Sequence, residues 1–224
     1  MRLFRPALVA ALAAAAVVAQ PSPPRLQGII GRWSAYADAE PAVRVDGASW
    51  DGTVSRDEVT AAGKALFGDA SATFLANATS RTAFPLAVDV ATRDFRHGTL
   101  RVQFKLISGS DDRSGGIVFG LGASGEYRYL RYNTKDGNLA LWAFRNGDRA
   151  VLAKGEGLKQ LPLDTWHELV VRIRGQQVQA SVTGHPELDA RFSLEAPVQG
   201  RVGLWAKRDV VTAFRRFGVE ATAP

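Results

Sequence analysis

Between residues 99 and 107 apolar and polar side chains alternate, with Leu100, Val102, Phe104 and Leu106 separated by Arg101, Gln103 and Lys105. A period of two puts the four apolar side chains on one face, so the spacing predicts a strand with one buried and one wet side. The rhythm recurs at Phe84, Leu86, Val88 and Val90, at Leu169, Val171 and Ile173, and at Val178, Ala180 and Val182. It continues at Leu188, Ala190, Phe192 and Leu194 and at Val202, Leu204 and Ala206, and a last strand runs from Val211 to about Val219. Residues 127–133 and 138–144 are rich in rings and branched side chains. The Asp136-Gly137 pair between them supplies the positive φ of a tight reversal, so they are expected to form a hairpin. Asn146-Gly147 predicts a second hairpin, joining 139–144 to 149–153.

One stretch departs from this pattern. Ser55-Arg-Asp-Glu58 is a capping box flanked by Val54 and Val59, and it predicts a helix through Ala61, Ala62 and Leu66 that stops at Gly68. Many short strands, turns at Gly, Pro, Asn and Asp, and a single helix without a βαβ rhythm predict an all-β fold. The expected architecture is an antiparallel two-sheet sandwich of jelly-roll type with one short helix near the N-terminus.

Composition adds an address. Residues 1–19 hold Arg2 and Arg5 followed by an apolar run from Ala7 to Ala19. That run is shorter than the roughly 20 residues a bilayer span needs, and small residues at its end suit signal peptidase. Expected boundaries are a signal peptide at 1–19, a linker and N-terminal segment at 20–41, one sandwich domain at 42–220 and a tail at 221–224. Export to a bacterial periplasm or exterior is expected, with no membrane insertion after cleavage. There is no cysteine, so an exported protein of this kind relies on its apolar core rather than on disulfides. The formal charge of +6 includes Arg2 and Arg5, and the remaining basic residues are scattered singly, which argues against nucleic acid as a partner.

Candidate chemistry follows from which residues share a face. Tyr127, Tyr129, Arg131 and Asn133 project to one side of an extended strand, and Trp205, Lys207 and Asp209 do the same on another. Rings that stack on sugar C–H faces, together with paired donors and acceptors for hydroxyls, form a carbohydrate-binding set. Two bland alternatives stand beside it: a buried Trp205 with a Lys207–Asp209 surface pair, and Arg131 tied to an acid at the core edge. Asp209 and His167 are the candidate proton-moving groups, although a strand histidine such as His167 also serves as a packing residue. Asp111 and Asp112, ahead of Gly115-Gly116, offer oxygens of the kind calcium takes, but far fewer than its six to eight, so no metal or cofactor is expected. A Glu-x-Asp-x-x-Glu arrangement, which places a glucanase's carboxyl groups on one strand, occurs nowhere in the chain.

Gly115-Gly-Ile-Val-Phe119, Tyr127-Arg-Tyr-Leu-Arg-Tyr-Asn133, Asn138-Leu-Ala-Leu-Trp142, Asn146-Gly-Asp-Arg149, Trp166-His167 and Val202-Gly-Leu-Trp-Ala-Lys207-Arg-Asp209-Val-Val-Thr212-Ala-Phe214 occur in this order. Together they resemble the family of 3-keto-disaccharide hydrolase domains, which sits among the concanavalin A-like lectins and glucanases. The resemblance implies a laminin-G-like jelly roll and a carbohydrate partner, with hydrolysis of 3-keto disaccharides or glucosides in active members. The substrate-binding candidates, taken from the residues that share these faces, are Tyr129, Arg131, Asn133, Trp142, Trp205 and Lys207. Arg215 and Arg216 stand where the family usually has two aspartates. The expectations are therefore a sugar-active hydrolase, a non-catalytic glycan-binding module, or a structural envelope domain.

Overall fold

The computed structural model describes residues 26–50, 54–78 and 83–222. The expected signal peptide lies outside them. Fourteen strands form two seven-stranded sheets. Sheet A runs in the order β1 (Leu26–Ile30), β4 (Leu86–Asp89), β13 (Arg201–Ala206), β6 (Ser114–Leu121), β7 (Tyr127–Asn133), β8 (Asn138–Arg145) and β9 (Asp148–Lys154). Sheet B runs β12 (His185–Ser193), β11 (Gln177–Val182), β10 (Trp166–Arg174), β5 (Gly98–Gly109), β14 (Val210–Ala221), β3 (Pro41–Asp46) and β2 (Trp33–Ala37). Every neighbouring pair is antiparallel.

The alternation read from the sequence is the inward face of each strand. Leu100, Val102, Phe104 and Leu106 are fully buried between the sheets, against Ile117, Phe119, Leu130, Tyr132, Leu139 and Leu141 of sheet A. The predicted hairpins form as well. Asn133 pairs with Asn138 around Gly137 at φ 71°, and Arg145 pairs with Asp148 around Asn146 and Gly147 at φ 51° and 74°.

Two boundaries differ from expectation. The segment taken as linker contains β1 and β2, which close one edge of each sheet by pairing with β4 and β3. At the other end Ala221 belongs to β14 and pairs with Gly98 rather than fraying.

The helix α1 (Arg56–Phe67) begins where the capping box places it. The Ser55 hydroxyl accepts from the Glu58 amide, and Gly68 ends the helix at φ 57°. A short 3-10 turn then leads into α2 (Ser71–Ala78). Val59, Ala62, Leu66 and Phe74 pack on the outer face of sheet A, against Val118, Tyr127, Tyr129, Phe144 and Trp205. Sheet A is therefore buried on both sides over part of its area.

Candidate functional site

The part of that face beside the helices is built on β7, where Tyr129, Asn133 and the neighbouring Trp205 are fully buried, Arg131 is 6% exposed, and Lys207 is partly exposed. Leu130 and Tyr132 fill the inter-sheet core, so the pleat aims Tyr129, Arg131 and Asn133 outward. Tyr129 is registered opposite Trp142 on β8, with the rings 6.2 Å apart and nearly parallel, and it stacks on Trp205 of β13 at 4.2 Å. Gly116, registered between Trp205 and Arg131, adds no side chain to this tier. Trp142 remains partly exposed. The Arg131 and Arg149 guanidinium groups lie 5.6 and 4.8 Å from its ring, within cation–π range.

A chain of polar contacts borders the aromatic tier. Arg131 Nη2 donates to Asp136 at 2.8 Å. Asn133 Nδ2 donates to Asp136 at 3.0 Å and to Asp112 at 2.5 Å, and Asp112 is ion-paired to Lys207. The Asn133 Oδ1 atom accepts from the backbone amides of Arg113 and Lys135, so this side chain is fully used in holding two loops together. Burial would raise the Asp136 carboxyl, but the Arg131 hydrogen bond and charge outweigh it and hold the group below its ordinary value. Tyr129 is pushed up to about 12 by burial, against an opposing pull from Arg149.

Not every polar atom here has a partner. The Arg131 Nη1, Tyr129 hydroxyl and Trp142 Nε1 atoms are buried without a hydrogen bond among the described residues. Leaving a buried polar atom unsatisfied costs about 1–3 kcal/mol, so these three atoms are donors and acceptors in want of a partner, although each is closed to solvent.

The sequence-derived residues divide. Tyr129, Arg131, Asn133, Trp142, Trp205 and Lys207 come together on one face. Arg131 and Lys207 each take an acid, as the bland alternative for Arg131 foresaw. Asp209 does not extend the Trp205 and Lys207 row, because β13 ends at Ala206 and residues 207–209 turn across to sheet B. Its carboxylate accepts from Ser110 Oγ and from the Asp111 and Asp112 amides at 3.2, 2.7 and 3.2 Å, which ties down the neighbouring loop.

His167 points between the sheets from β10, 5.8 Å from the Phe104 ring and 5.7 Å from His185. Burial holds its imidazole below the usual value, and sheet A separates it from Arg131. Arg215 and Arg216 lie on the outer face of sheet B, where Arg215 stacks 4.2 Å over Trp166 and Arg216 pairs with Glu40. They are remote from the Arg131 cluster, so bases in place of aspartates there leave this face untouched. Arg149 is a site residue outside the candidate set, as are Asp112 and Asp136, which the sequence marks only as a possible calcium oxygen and a turn residue. Their loop or edge-strand positions carry no periodic signal.

The Asp111 and Asp112 loop leads into β6, so Gly115 and Gly116 are strand residues. Asp112 is committed to Lys207 and Asn133, and no group of three or more acids or histidines is placed to share a metal ion among the described residues.

No protein-family model matches this chain, and no curated protein matches it. Among solved structures, the carbohydrate binding module CBM66 from Bacillus subtilis aligns over 89% of this chain and 97% of its own, with a TM-score of 0.61 and 11% identity. A β-glucanase from Bacillus licheniformis aligns over 62% of this chain and 72% of its own at a TM-score of 0.41 and 12% identity. Chicken galectin 2 aligns over 58% and 100% at a TM-score of 0.42 and 11% identity. The first of these shows a shared sandwich fold, and at 11% identity it says nothing of residue roles. The resemblance to 3-keto-disaccharide hydrolase domains rests on its ordered motifs alone.

Proposed function

We propose that this protein is a carbohydrate-binding β-sandwich, non-catalytic, with its ligand seated on the outer face of sheet A where Trp142 and Lys207 are partly exposed. The observation that carries the reading is one juxtaposition. The partly exposed Trp142 ring and the unpaired Arg131 Nη1 adjoin an ordered Asp136, Asn133, Asp112 and Lys207 network. Trp142 supplies an apolar surface for a pyranose face and the partly exposed Lys207 donates to its hydroxyl or keto oxygens, while the buried Arg131 Nη1 is a donor that a ligand reaches by entering behind the ring. Asn133 positions rather than contacts, since its amide is already satisfied. A fold shared with a carbohydrate-binding module is compatible with this assignment.

Binding is favoured over hydrolysis for an electrostatic reason. Asp112 and Asp136 both reach the same Asn133 nitrogen, so their oxygens lie no farther apart than those two hydrogen bonds combined. Their separation therefore falls at or below the roughly 5–5.5 Å of retaining glycosidases. Such an enzyme also needs one of its pair protonated, however, and here each carboxylate faces a cation. Asp209 is engaged by three donors and His167 is on the wrong side of sheet A, so neither expected proton carrier reaches this face.

Titration calorimetry of the purified protein with a panel that includes 3-keto-glucosides tests the assignment. Saturable binding without product formation is expected, weakened roughly tenfold in Arg131→Ala, in line with loss of one charge-assisted hydrogen bond. Turnover abolished in Asp112→Asn would instead establish the hydrolase reading, and absence of binding to any glycan would leave a structural domain. Export rests on the sequence of residues 1–19, and N-terminal sequencing of the secreted protein is expected to begin at Gln20.

A further inference from the structure

The outer face of sheet B carries a groove that none of this chemistry uses. On β10, β11 and β12 the inward positions are Val171, Ile173, Val178, Ala180, Ala190 and Phe192, which leaves Arg172, Arg174, Gln177, Gln179 and Arg191 facing out and exposed or partly so. Arg172 is registered opposite Gln179, and Gln179 opposite Arg191. With strands about 4.8 Å apart, the two guanidinium groups rise from backbone positions about 10 Å apart with an amide between them. Arg174 stands two residues beyond Arg172, on the same face.

Two adjoining hollows of about 400 and 270 Å³ share Arg172 and Gln179, so they form one groove across the three strands. Three guanidinium groups line it against one carboxylate, Asp189, and none of the three has an ion-pair partner among the described residues. Elsewhere on the same sheet the cations are paired: Arg101 with Glu220, Lys105 with Asp38, and Arg216 with Glu40.

The lining chemistry narrows the partner. Guanidinium forks recognise carboxylates in two-point contacts, and glutamine amides and the Asp189 carboxylate exchange hydrogen bonds with hydroxyls. No aromatic ring lines the groove for a base to stack on, which speaks against single-stranded nucleic acid. The large exposed apolar side chains among the described residues are Val151, Leu152 and Leu158, none of them here, which speaks against a lipid surface. We infer that this groove is a second binding site, for a carboxylate-bearing polysaccharide built of uronic acid units. The inference stands independently of the site on sheet A.

The test uses polygalacturonate, with dextran as the neutral comparison, in calorimetric titrations of the full chain at about 0.05 M and about 1 M salt, where the screening length falls from above 10 Å to about 3 Å. Expected is saturable binding of polygalacturonate and none of dextran in this groove, lost at high salt. The Arg172→Gln/Arg191→Gln double variant should weaken it roughly tenfold or more, with an unchanged melting temperature. Arg56→Gln/Lys64→Gln on α1 removes the same charge at a distance and should leave binding intact. No binding, equal weakening in both double variants, or equally tight binding of duplex DNA or anionic vesicles would each overturn the inference.

Discussion

Arg131 makes the structural pair that is one of the two readings of its sequence context, and the other reading rests on its second terminal nitrogen. One of its terminal nitrogens is tied to Asp136 at 2.8 Å, and the other is buried and unpaired beside Trp142. The sequence allows a structural pair or a ligand contact, and the geometry shows the pair, with a buried donor left over for the contact. Asp209 went the other way, since its reading assumed an extended backbone through residue 209 and a turn intervened. Asp209→Asn should weaken the three contacts that hold the 110–112 loop and lower stability by about 1 kcal/mol, a modest figure because the site is partly solvated. Denaturant titration measures it, and glycan affinity should change far less than in Arg131→Ala. On sheet B, hydrogen bonds from Lys105, the Ala39 amide and Trp166 hold the Asp38 carboxyl down to about 2 from an ordinary 3.8. A carboxyl lowered in the folded state stabilises it fully above its unfolded value and loses that contribution as pH falls toward the folded one. The melting-temperature advantage of wild type over Asp38→Asn should therefore be constant above about pH 5 and shrink between about pH 4 and 2.

Strands announced themselves wherever one face was dry and the other wet, as in β5, β10 and β11. β1 and β2 escaped because they are short edge strands, closing one edge of each sheet beside a proline-rich run, and an edge strand needs few apolar residues. The first helix is legible from its caps, whereas α2 follows the 3-10 turn after Gly68 and has no cap signature of its own. The paired glycines of β6 have a packing reason in the structure. A Cβ on Gly116 would sit 2.2 Å from the Leu130 carbonyl oxygen of β7, which is backbone and cannot move aside without breaking the pairing. Gly116→Ala should therefore cost about 1–3 kcal/mol or more, read as a lowered denaturation midpoint, and should weaken glycan binding by displacing Arg131.

At the scale of the whole molecule, alternation and turn chemistry made the sandwich legible, but the site was legible only as a list of residue types. Tyr129 and Arg131 on one side of β7, and Leu130 and Tyr132 on the other, look equally suited to a core. The reason is that α1 and α2 cover part of the outer face of sheet A and demand rings there too. Which side meets a ligand depends on where those helices stop, and periodicity within a strand carries no record of that. The two sheets then present different chemistry outward: an aromatic tier with an ion-pair network on one, and a row of unpaired arginines on the other.

The most direct test of the sheet A assignment is a ¹⁵N-resolved NMR titration of the five tryptophan indole N–H signals with the glycan panel. The account predicts that the Trp142 signal moves saturably as its unpaired N–H meets a sugar oxygen, while Trp33 and Trp166, both associated with sheet B, stay in place. Saturable movement of Trp166 with Trp142 unmoved would contradict it.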